Sequence, residues 1–138
     1  MNNVIPVVVC GVVSNLKGEI LIAQRRKPID GVHYWEFPGG KVEKGESLFQ
    51  ALIREWNEEF EIKVNPKKHL TSISHPRFLL EFIRGETADS PRALNSHLAY
   101  KWLTLEELTS LPDEASHNRI QMLVTNIQFI NEFLKGSF

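Results

Sequence analysis

The sequence predicts an α+β fold with a layered architecture. Strand-like runs come first, an acidic helix follows, further strand-like runs come next, and a long helical pattern lies near the end of the chain. Each kind of element has to bury an apolar face, and helices packed on a sheet achieve this. The chain has 138 residues, 42% apolar and 24% charged, so we expect one domain over 1–138.

The first part of the chain predicts two strands, a turn and a loop. Residues 4–13 and 19–24 are rich in valine and isoleucine, and the polar residues 14–18 between them indicate a short turn. A loop is expected around residues 28–31, which contain proline and glycine. The Phe-Pro-Gly-Gly segment at 37–40 indicates a tight turn.

A helix is predicted after that turn. Ser47 and Gln50 have the spacing of a capping box, in which each side chain binds a backbone N–H of the other residue. The helix is expected to end near Phe60, before a strand at 62–64 and a break at Asn65-Pro66.

The second half predicts three strands and two helices. The strand-like runs cover residues 70–74, 78–83 and 99–103. The polar residues 84–96 predict a mobile loop, and Thr104 with Glu107 predicts a capping box for a brief helix at 105–108. A final helix is predicted by apolar residues at helical spacing, with Gly136 as its stop. These residues are Ile120, Leu123, Val124, Ile127, Ile130 and Leu134.

Composition narrows the classes of function. A net charge of -1 argues against a long nucleic acid as partner, since such binding needs a basic surface. The apolar run at 4–13 is interrupted by proline and glycine and is too short to span a membrane. Cys10 is the single cysteine, so no intrachain disulfide can form, which fits a cytoplasmic location. We expect a monomer or homodimer.

The acidic helix carries the strongest functional signal. Glu55, Glu58 and Glu59 are spaced i, i+3 and i+4, so they share one side of the helix. A second side is apolar and is predicted to pack; it contains Phe49, Leu52, Ile53, Trp56 and Phe60. Clustered carboxylates repel one another, so a hard cation with oxygen ligands is expected among them. The alternative is an exposed amphipathic helix whose acids only keep it soluble.

The register of this segment resembles the Nudix hydrolase signature. The matching positions are Gly40, Glu46, Arg54, Glu55, Trp56, Glu58, Glu59 and Ile62. Glu61 stands where the family has glycine, which alters a left-handed helix end more than the chemistry. The preceding residues 36–39 also resemble the MutT-like branch. The resemblance implies an α/β/α sandwich with a mixed central sheet.

The resemblance also implies a metal site and catalytic residues. Mg²⁺, with Mn²⁺ as a substitute, would be held by Glu55, Glu58, Glu59 and the backbone carbonyl of Gly39. Arg54 would orient Glu55 through a charge-assisted hydrogen bond, and Glu46 would tie the loop to the helix. Which glutamate acts as the general base stays open.

Further residues are candidates for contact with a substrate. Arg25 and Arg26 follow a predicted strand and could hold phosphates, although such charges are often solvated. Phe78 could stack on a base or belong to the core. Asn118 or Ser116 could read a base edge, whereas Ser116 could instead cap the final helix.

Lys101 is the main departure from the MutT-like pattern. Many such proteins carry a metal-binding glutamate at that place, and a lysine would repel a cation. Lys101 could pair with a helix glutamate or reach a phosphate, and Glu81 or Glu86 could supply the missing carboxylate. Among the five histidines, His97 is expected near the cleft by resemblance.

The resemblance implies Mg²⁺-dependent hydrolysis of a small nucleotide, with a diphosphate linkage as the bond cleaved. The leading hypothesis is a nucleoside triphosphate pyrophosphohydrolase that releases monophosphate and pyrophosphate, possible substrates including oxidised purine nucleotides. NDP-sugars, dinucleotides and 5′-triphosphorylated RNA ends are alternatives within the same chemistry. A nucleotide-binding module without turnover and a scaffold with a vestigial site are alternatives of a different class.

Overall fold

The computed structural model describes residues 4–118 and 120–137, with the side chains of 113–118 and 137 excepted. These residues form one seven-stranded sheet. Its strands are β1 (Val7–Ser14), β2 (Ile20–Arg25), β3 (Trp35–Glu36), β4 (Gly39–Lys41), β5 (Asn65–Ser74), β6 (Leu79–Glu86) and β7 (His97–Leu103).

The sheet is mixed, as expected. Its main order is β3-β2-β1-β6-β5, while β4 pairs with β1 and β7 pairs with β2. The β1–β6 pair is parallel and runs from Val7 opposite Leu79 to Ser14 opposite Glu86. The other strand pairs are antiparallel.

The helices lie between and after the strands. They are α1 (Leu48–Phe60), α2 (Leu105–Asn118), α3 (Val124–Phe129), a π-helical turn (Ile130–Leu134) and α4 (Lys135–Ser137). Both predicted capping boxes are present, at Ser47 with Gln50 and at Thr104 with Glu107. None of the described helices is long and apolar enough to cross a membrane.

Alternation along the strands divides the core between the two faces of the sheet. On β1, Val9 and Val13 pack towards α1, whereas Cys10 and Val12 pack towards the C-terminal helices. The α1 side buries Leu52, Trp56 and Phe60, and the opposite side buries Leu108, Phe129 and Leu134. The predicted α/β/α sandwich is therefore confirmed. Phe49 and Ile53 are 38% and 41% exposed, so the packing face of α1 is narrower than predicted.

The approach of α1 to the sheet is close. A Cβ atom at Gly11 would lie 2.6 Å from Trp56 Nε1 and 2.8 Å from Leu52 Cδ1, so no side chain fits there. Trp56 Nε1 donates to the Pro38 carbonyl at 2.8 Å, and that carbonyl also accepts from the Gly11 N–H at 2.8 Å. These bonds fix the helix over the segment that leads into β4.

The structure corrects several predicted elements in the first half of the chain. Residues 37–40 do not form a tight turn, because Gly39 and Gly40 belong to β4 and pair with Cys10 and Val9. Residues 62–64 are not a strand, although Ile62 and Val64 are buried. The strand begins instead at Asn65.

The predicted break at Asn65-Pro66 was wrong because a sheet edge tolerates proline. Strand β5 includes Pro66 and lies at one edge of the sheet, with a register shift between Pro66 and Lys68. The following strand β6 continues through residues 84–86, which the sequence predicted to be loop.

The C-terminal helices also differ from prediction. Helix α2 continues to Asn118, well beyond the predicted 105–108, and contains Pro112. The final helix starts at Val124 rather than near 120, because Trp35 exchanges backbone hydrogen bonds with residues 121 and 123. Gly136 lies within α4 and does not stop the helix.

The C-terminus of α1 supports one stability prediction. Glu61 adopts the left-handed conformation that the family pattern assigns to glycine, with φ 54° and ψ 41°. This conformation disfavours a residue with a Cβ atom by about 1–2 kcal/mol. We expect Glu61→Gly to raise the free energy of unfolding by about 1 kcal/mol, measured by urea denaturation. Glu61→Ala retains the Cβ atom and serves as control; an equal gain in both variants contradicts the explanation.

Candidate active site

Arg54 on α1 is the centre of the acidic cluster. Its Nε donates to Glu46 Oε2 at 2.7 Å and its Nη2 donates to Glu46 Oε1 at 2.9 Å. Nη1 donates to Glu55 Oε1 at 2.9 Å and to Glu58 Oε1 at 3.0 Å. Nη2 also donates to the Lys41 carbonyl at 3.0 Å. One guanidinium therefore connects the loop before α1, strand β4 and two predicted metal ligands.

Glu46 ties that loop to the helix. Its Oε1 accepts from the Glu43 N–H at 3.0 Å in addition to its paired contacts with Arg54. The hydrogen bonds from Arg54, followed by that from the Glu43 backbone, lower the pKa of Glu46 to about 2. Glu46 is thus a carboxylate over the whole range in which the protein is expected to work.

The lowered pKa of Glu46 predicts an acid-dependent loss of stability. The unfolded carboxyl has a pKa near 4.3, so between about pH 4.5 and pH 2 the unfolded state binds more protons than the folded state. Lowering the pH through this window therefore favours unfolding. We expect the free energy of unfolding of Glu46→Gln, measured by urea denaturation, to fall less over this window than that of the wild type. An exposed carboxylate on α2 provides the matched control, Glu106→Gln, and equal slopes in all three proteins would contradict the assignment.

Glu55 lies directly against β4. A Cβ atom at Gly40 would stand 2.2 Å from Glu55 Cδ and 2.4 Å from each carboxylate oxygen. Burial raises the pKa of Glu55 and outweighs the opposing hydrogen bond from Arg54, while the charge of Glu58 acts in the same direction as burial. Additional positive charge beside this carboxylate would stabilise its ionised form.

Glu58 shares a donor with Glu55 but faces solvent. Both carboxylates accept from Arg54 Nη1, so their two Oε1 atoms are close neighbours. The side chain of Glu58 is 57% exposed, compared with 23% for Glu55. Glu58 is therefore the carboxylate of this pair that has ready contact with water.

Glu59 points away from this pair, towards the start of β7. Its Oε2 accepts from the backbone N–H groups of Ser96 at 2.8 Å and His97 at 3.1 Å, and its Oε1 accepts from the Ser96 hydroxyl. Burial alone would raise the pKa of Glu59, but the hydrogen bonds from Ser96 and His97 together lower it. Glu59 is consequently held as a carboxylate in a fixed orientation.

His97 lies between two carboxylates. Its Nε2 is 2.8 Å from Glu36 Oε2, and its Nδ1 is 3.0 Å from Glu59 Oε2 at an angle outside hydrogen-bond geometry, so the second contact is an ion pair when the imidazole is protonated. The ring is buried, which alone would lower the pKa, but Glu36 and Glu59 together raise it. The cationic imidazole is therefore favoured.

The two candidate phosphate-binding arginines contact the same network. Arg25 Nη1 donates to Glu36 Oε1 at 3.1 Å, and Arg26 Nη2 donates to the His97 carbonyl at 3.3 Å. The side chain of Arg25 is 31% exposed and that of Arg26 lies at the surface. Each guanidinium is thus held by a hydrogen bond, Arg26 at the surface and Arg25 partly buried, and the Arg25 Nε is buried without a hydrogen-bond partner among the described residues.

The donor set fits a hard divalent cation in part. Glu55 and Glu58 present neighbouring carboxylates at a site where burial disfavours uncompensated negative charge, which suits a cation with oxygen ligands. Glu59 is anionic but is oriented by Ser96 and His97. Across the described residues, no group of three or more metal-ligating side chains converges in this conformation. Of the three predicted glutamate ligands, Glu59 is therefore the one whose carboxylate does not face the Glu55–Glu58 pair.

The remaining candidate substrate residues lie elsewhere. Phe78 packs against the core on the side opposite α1 and stacks on His75, with ring centroids 4.1 Å apart. Lys101 Nζ lies 5.9 Å from the ring centroid of Trp35. Successive side chains of β7 point to opposite faces of the sheet. Tyr100 packs on the α1 side, so Lys101 lies on the other face.

That placement excludes one alternative, in which Lys101 pairs with a glutamate of the acidic helix. The sheet separates the two. Glu81 and Glu86 were the proposed replacement carboxylates. Glu81 accepts hydrogen bonds from His69 and Ser72, and Glu86 pairs with Lys67 at 3.7 Å, so these contacts do not connect either residue to the acidic helix.

The base-reading candidates fall in α2. The helix includes Ser116 and Asn118, while their side chains lie outside the described residues. Ser116 does not cap the final helix, because the residue before α3 is Leu123.

Sequence reasoning missed the roles of Glu36, Ser96 and Asn95. Asn95 Nδ2 donates to the Glu58 carbonyl at 2.6 Å, so the loop before β7 holds the C-terminal turn of α1. No local spacing indicates these contacts, since Glu36 and His97 are separated by 61 positions.

Comparison with known proteins places this site in a family. Residues 4–124 match the family model of the NUDIX domain. CTP pyrophosphohydrolase of Escherichia coli (strain K12) is 47% identical over 55 residues, which cover 40% of this chain and 41% of that protein. The 8-oxo-dGTP diphosphatase of Proteus vulgaris is 38% identical over 68 residues, 49% of this chain and 61% of that protein. MutT of Methanosarcina mazei Go1 superposes with a TM-score of 0.69 at 23% identity, covering 94% of this chain and 93% of that one.

The chain belongs to the Nudix hydrolase family, since the family model matches most of its length. Within that family it is similar to MutT-like proteins. The chain spans about two fifths and three fifths of the lengths of the two curated relatives.

Proposed function

We propose that the protein is a MutT-like nucleoside triphosphate pyrophosphohydrolase that uses Mg²⁺, with Mn²⁺ as a substitute. It hydrolyses a ribo- or deoxyribonucleoside triphosphate to the monophosphate and pyrophosphate, with oxidised purine nucleotides among its candidate substrates. It acts in the cytoplasm as a monomer or homodimer of one domain over 1–138, with no long nucleic acid and no membrane as partner.

The observation that carries this proposal is the arrangement around Arg54. Its guanidinium donates to both Glu55 and Glu58. Burial disfavours the ionised form of Glu55, and a nearby cation would stabilise that form. Glu55, Glu58, Glu59 and the carbonyl of Gly39 are the proposed ligands of the metal. When bound, a divalent cation would neutralise phosphate charge and make a water molecule more acidic.

The protein groups have distinct proposed roles. Arg25 and Arg26 bind the phosphates, since each guanidinium is fixed by a hydrogen bond to the site and each side chain is at least partly exposed. The exposed Glu58 is the best placed carboxylate to accept a proton from the attacking water. Water then adds to phosphorus, the phosphoanhydride P–O bond breaks, and pyrophosphate departs with the electron pair.

A binding module without turnover is the second candidate. It is favoured by the position of Glu59, whose carboxylate is already bound by Ser96 and His97. Such a module would bind nucleotide and gain thermal stability without forming products.

A product-resolved turnover screen tests the proposal. The substrates are the common NTPs and dNTPs, 8-oxo-dGTP, NDP-sugars, dinucleotides and a 5′-triphosphorylated RNA, each with Mg²⁺ and with EDTA. Monophosphate plus pyrophosphate, formed only with metal, is the expected result. If products form only from NDP-sugars or dinucleotides, those compounds rather than nucleoside triphosphates are the substrates. If nucleotides raise the melting temperature without forming products, the binding module is supported.

A further inference from the structure

His97 joins the two halves of the candidate site. Its Nε2 contacts Glu36 at 2.8 Å, and Glu36 in turn accepts from Arg25 at 3.1 Å. Its backbone N–H donates to Glu59 at 3.1 Å, and its carbonyl accepts from Arg26 at 3.3 Å. One residue therefore contacts α1, β3 and the end of β2.

The surroundings of His97 hold it rigidly. Only 7% of its side chain is exposed, and its ring stacks on Phe60 with centroids 5.8 Å apart. Arg25 and His97 are partners in the β2–β7 ladder, at the point where the register shifts. A rigid imidazole between two carboxylates fixes the distance between them.

The hydrogen bonds leave one part of Glu59 available. Two backbone N–H groups donate to Oε2, while among the described residues Oε1 accepts from the Ser96 hydroxyl. Since a carboxylate oxygen can accept two bonds, Oε1 retains capacity for one more ligand. Glu59 can thus be oriented through Oε2 and still bind a cation through Oε1.

We propose that His97 is a positioning residue that couples the carboxylate of Glu59 to Arg25 through Glu36. It fixes the distance between Glu59, at the metal-binding end of the site, and Arg25, at the phosphate-binding end. The inference rests on the proposed function for the identity of what each end binds. Groups that orient metal-binding side chains typically change metal affinity by about 10–100-fold when they are removed.

The test replaces His97 and measures the two ends separately. His97→Phe keeps a ring next to Phe60 but removes both nitrogens, and His97→Gln restores one donor. We expect Mn²⁺ binding without nucleotide, measured by calorimetry, to weaken about 10–100-fold in His97→Phe and less in His97→Gln. We also expect the KM for the nucleotide to rise about tenfold, as Arg25 loses its fixed partner, with partial recovery in His97→Gln. The matched control is His69→Phe on the edge strand β5, which should leave Mn²⁺ affinity and KM unchanged.

The outcomes separate this inference from the proposed function. Wild-type Mn²⁺ affinity and KM in a folded His97→Phe protein, with only its melting temperature lowered, would reduce His97 to a structural role and overturn the inference. If His97→Phe does not fold, His97→Gln decides the question: weaker Mn²⁺ binding together with a higher KM supports the coupling, and wild-type values of both overturn it. If the wild type binds Mn²⁺ but releases no product, the proposed function fails while the metal-affinity comparison still decides the role of His97.

Discussion

Glu58→Gln is expected to lose nearly all turnover while the protein stays folded. The substitution removes the charge of the solvent-facing carboxylate next to Glu55 but preserves its size. If Glu58 binds the metal and accepts the proton of water, kcat should fall by about 10²–10⁴-fold. The contact between Glu58 and Arg54 is largely exposed, and such pairs contribute about 1 kcal/mol or less to stability. Steady-state kinetics with saturating Mg²⁺ and a thermal melt measure the two effects.

The matched control for Glu58→Gln is the same change at an exposed position on α2, Glu106→Gln. It removes an equal charge without touching the acidic cluster, so its kcat should equal that of the wild type. Activity in Glu58→Gln within a fewfold of the wild type would contradict the roles given to Glu58. A fall in melting temperature large enough to unfold the variant would assign Glu58 to the fold instead.

The acidic helix was predictable because its signals are local. A capping box, an apolar stripe and an i, i+3, i+4 set of glutamates all lie within a short stretch, and the structure begins and ends α1 as predicted. Even the left-handed end at Glu61 follows from a single position of the pattern. The spacing did not show that Glu59 turns towards β7 while Glu55 lies against β4 and Glu58 faces solvent. Neighbouring residues differ by about 100° around a helix, so the contacts on each side decide the orientation.

The parts that were missed depend on contacts between distant segments. Trp35 pairs with the backbone at 121–123 and so delays the final helix to Val124, although the apolar spacing starts at Ile120. The network of Glu36 and His97 needs β2, β3 and β7 to be adjacent, which no local pattern states. The resemblance put Lys101 at the place of a metal-binding glutamate, whereas strand alternation puts Lys101 on the face opposite α1.

Gly40→Ala is expected to damage the site more than the fold. The new Cβ atom would stand 2.2 Å from Glu55 Cδ, so the carboxylate has to move. This movement disturbs its hydrogen bond with Arg54. The clash is with the end of a flexible side chain, so the loss of stability should be modest, about 1 kcal/mol. A displacement of about 1 Å at a reacting site can cost about 10²-fold in rate, and we expect kcat/KM to fall by that amount.

Two other glycines make this prediction specific. At Gly39 a Cβ atom would lie 1.8 Å from the Val9 carbonyl oxygen, which is backbone of the paired strand β1 and cannot move away without disturbing the ladder. Gly39→Ala should therefore lose about 3 kcal/mol of stability, detected by urea denaturation. At Gly136, by contrast, the described residues leave the Cβ position open, so Gly136→Ala should keep wild-type activity and lose no stability. If Gly40→Ala lost stability as Gly39→Ala does while its folded fraction kept full activity, the contact between Gly40 and Glu55 would matter for packing rather than for the reaction.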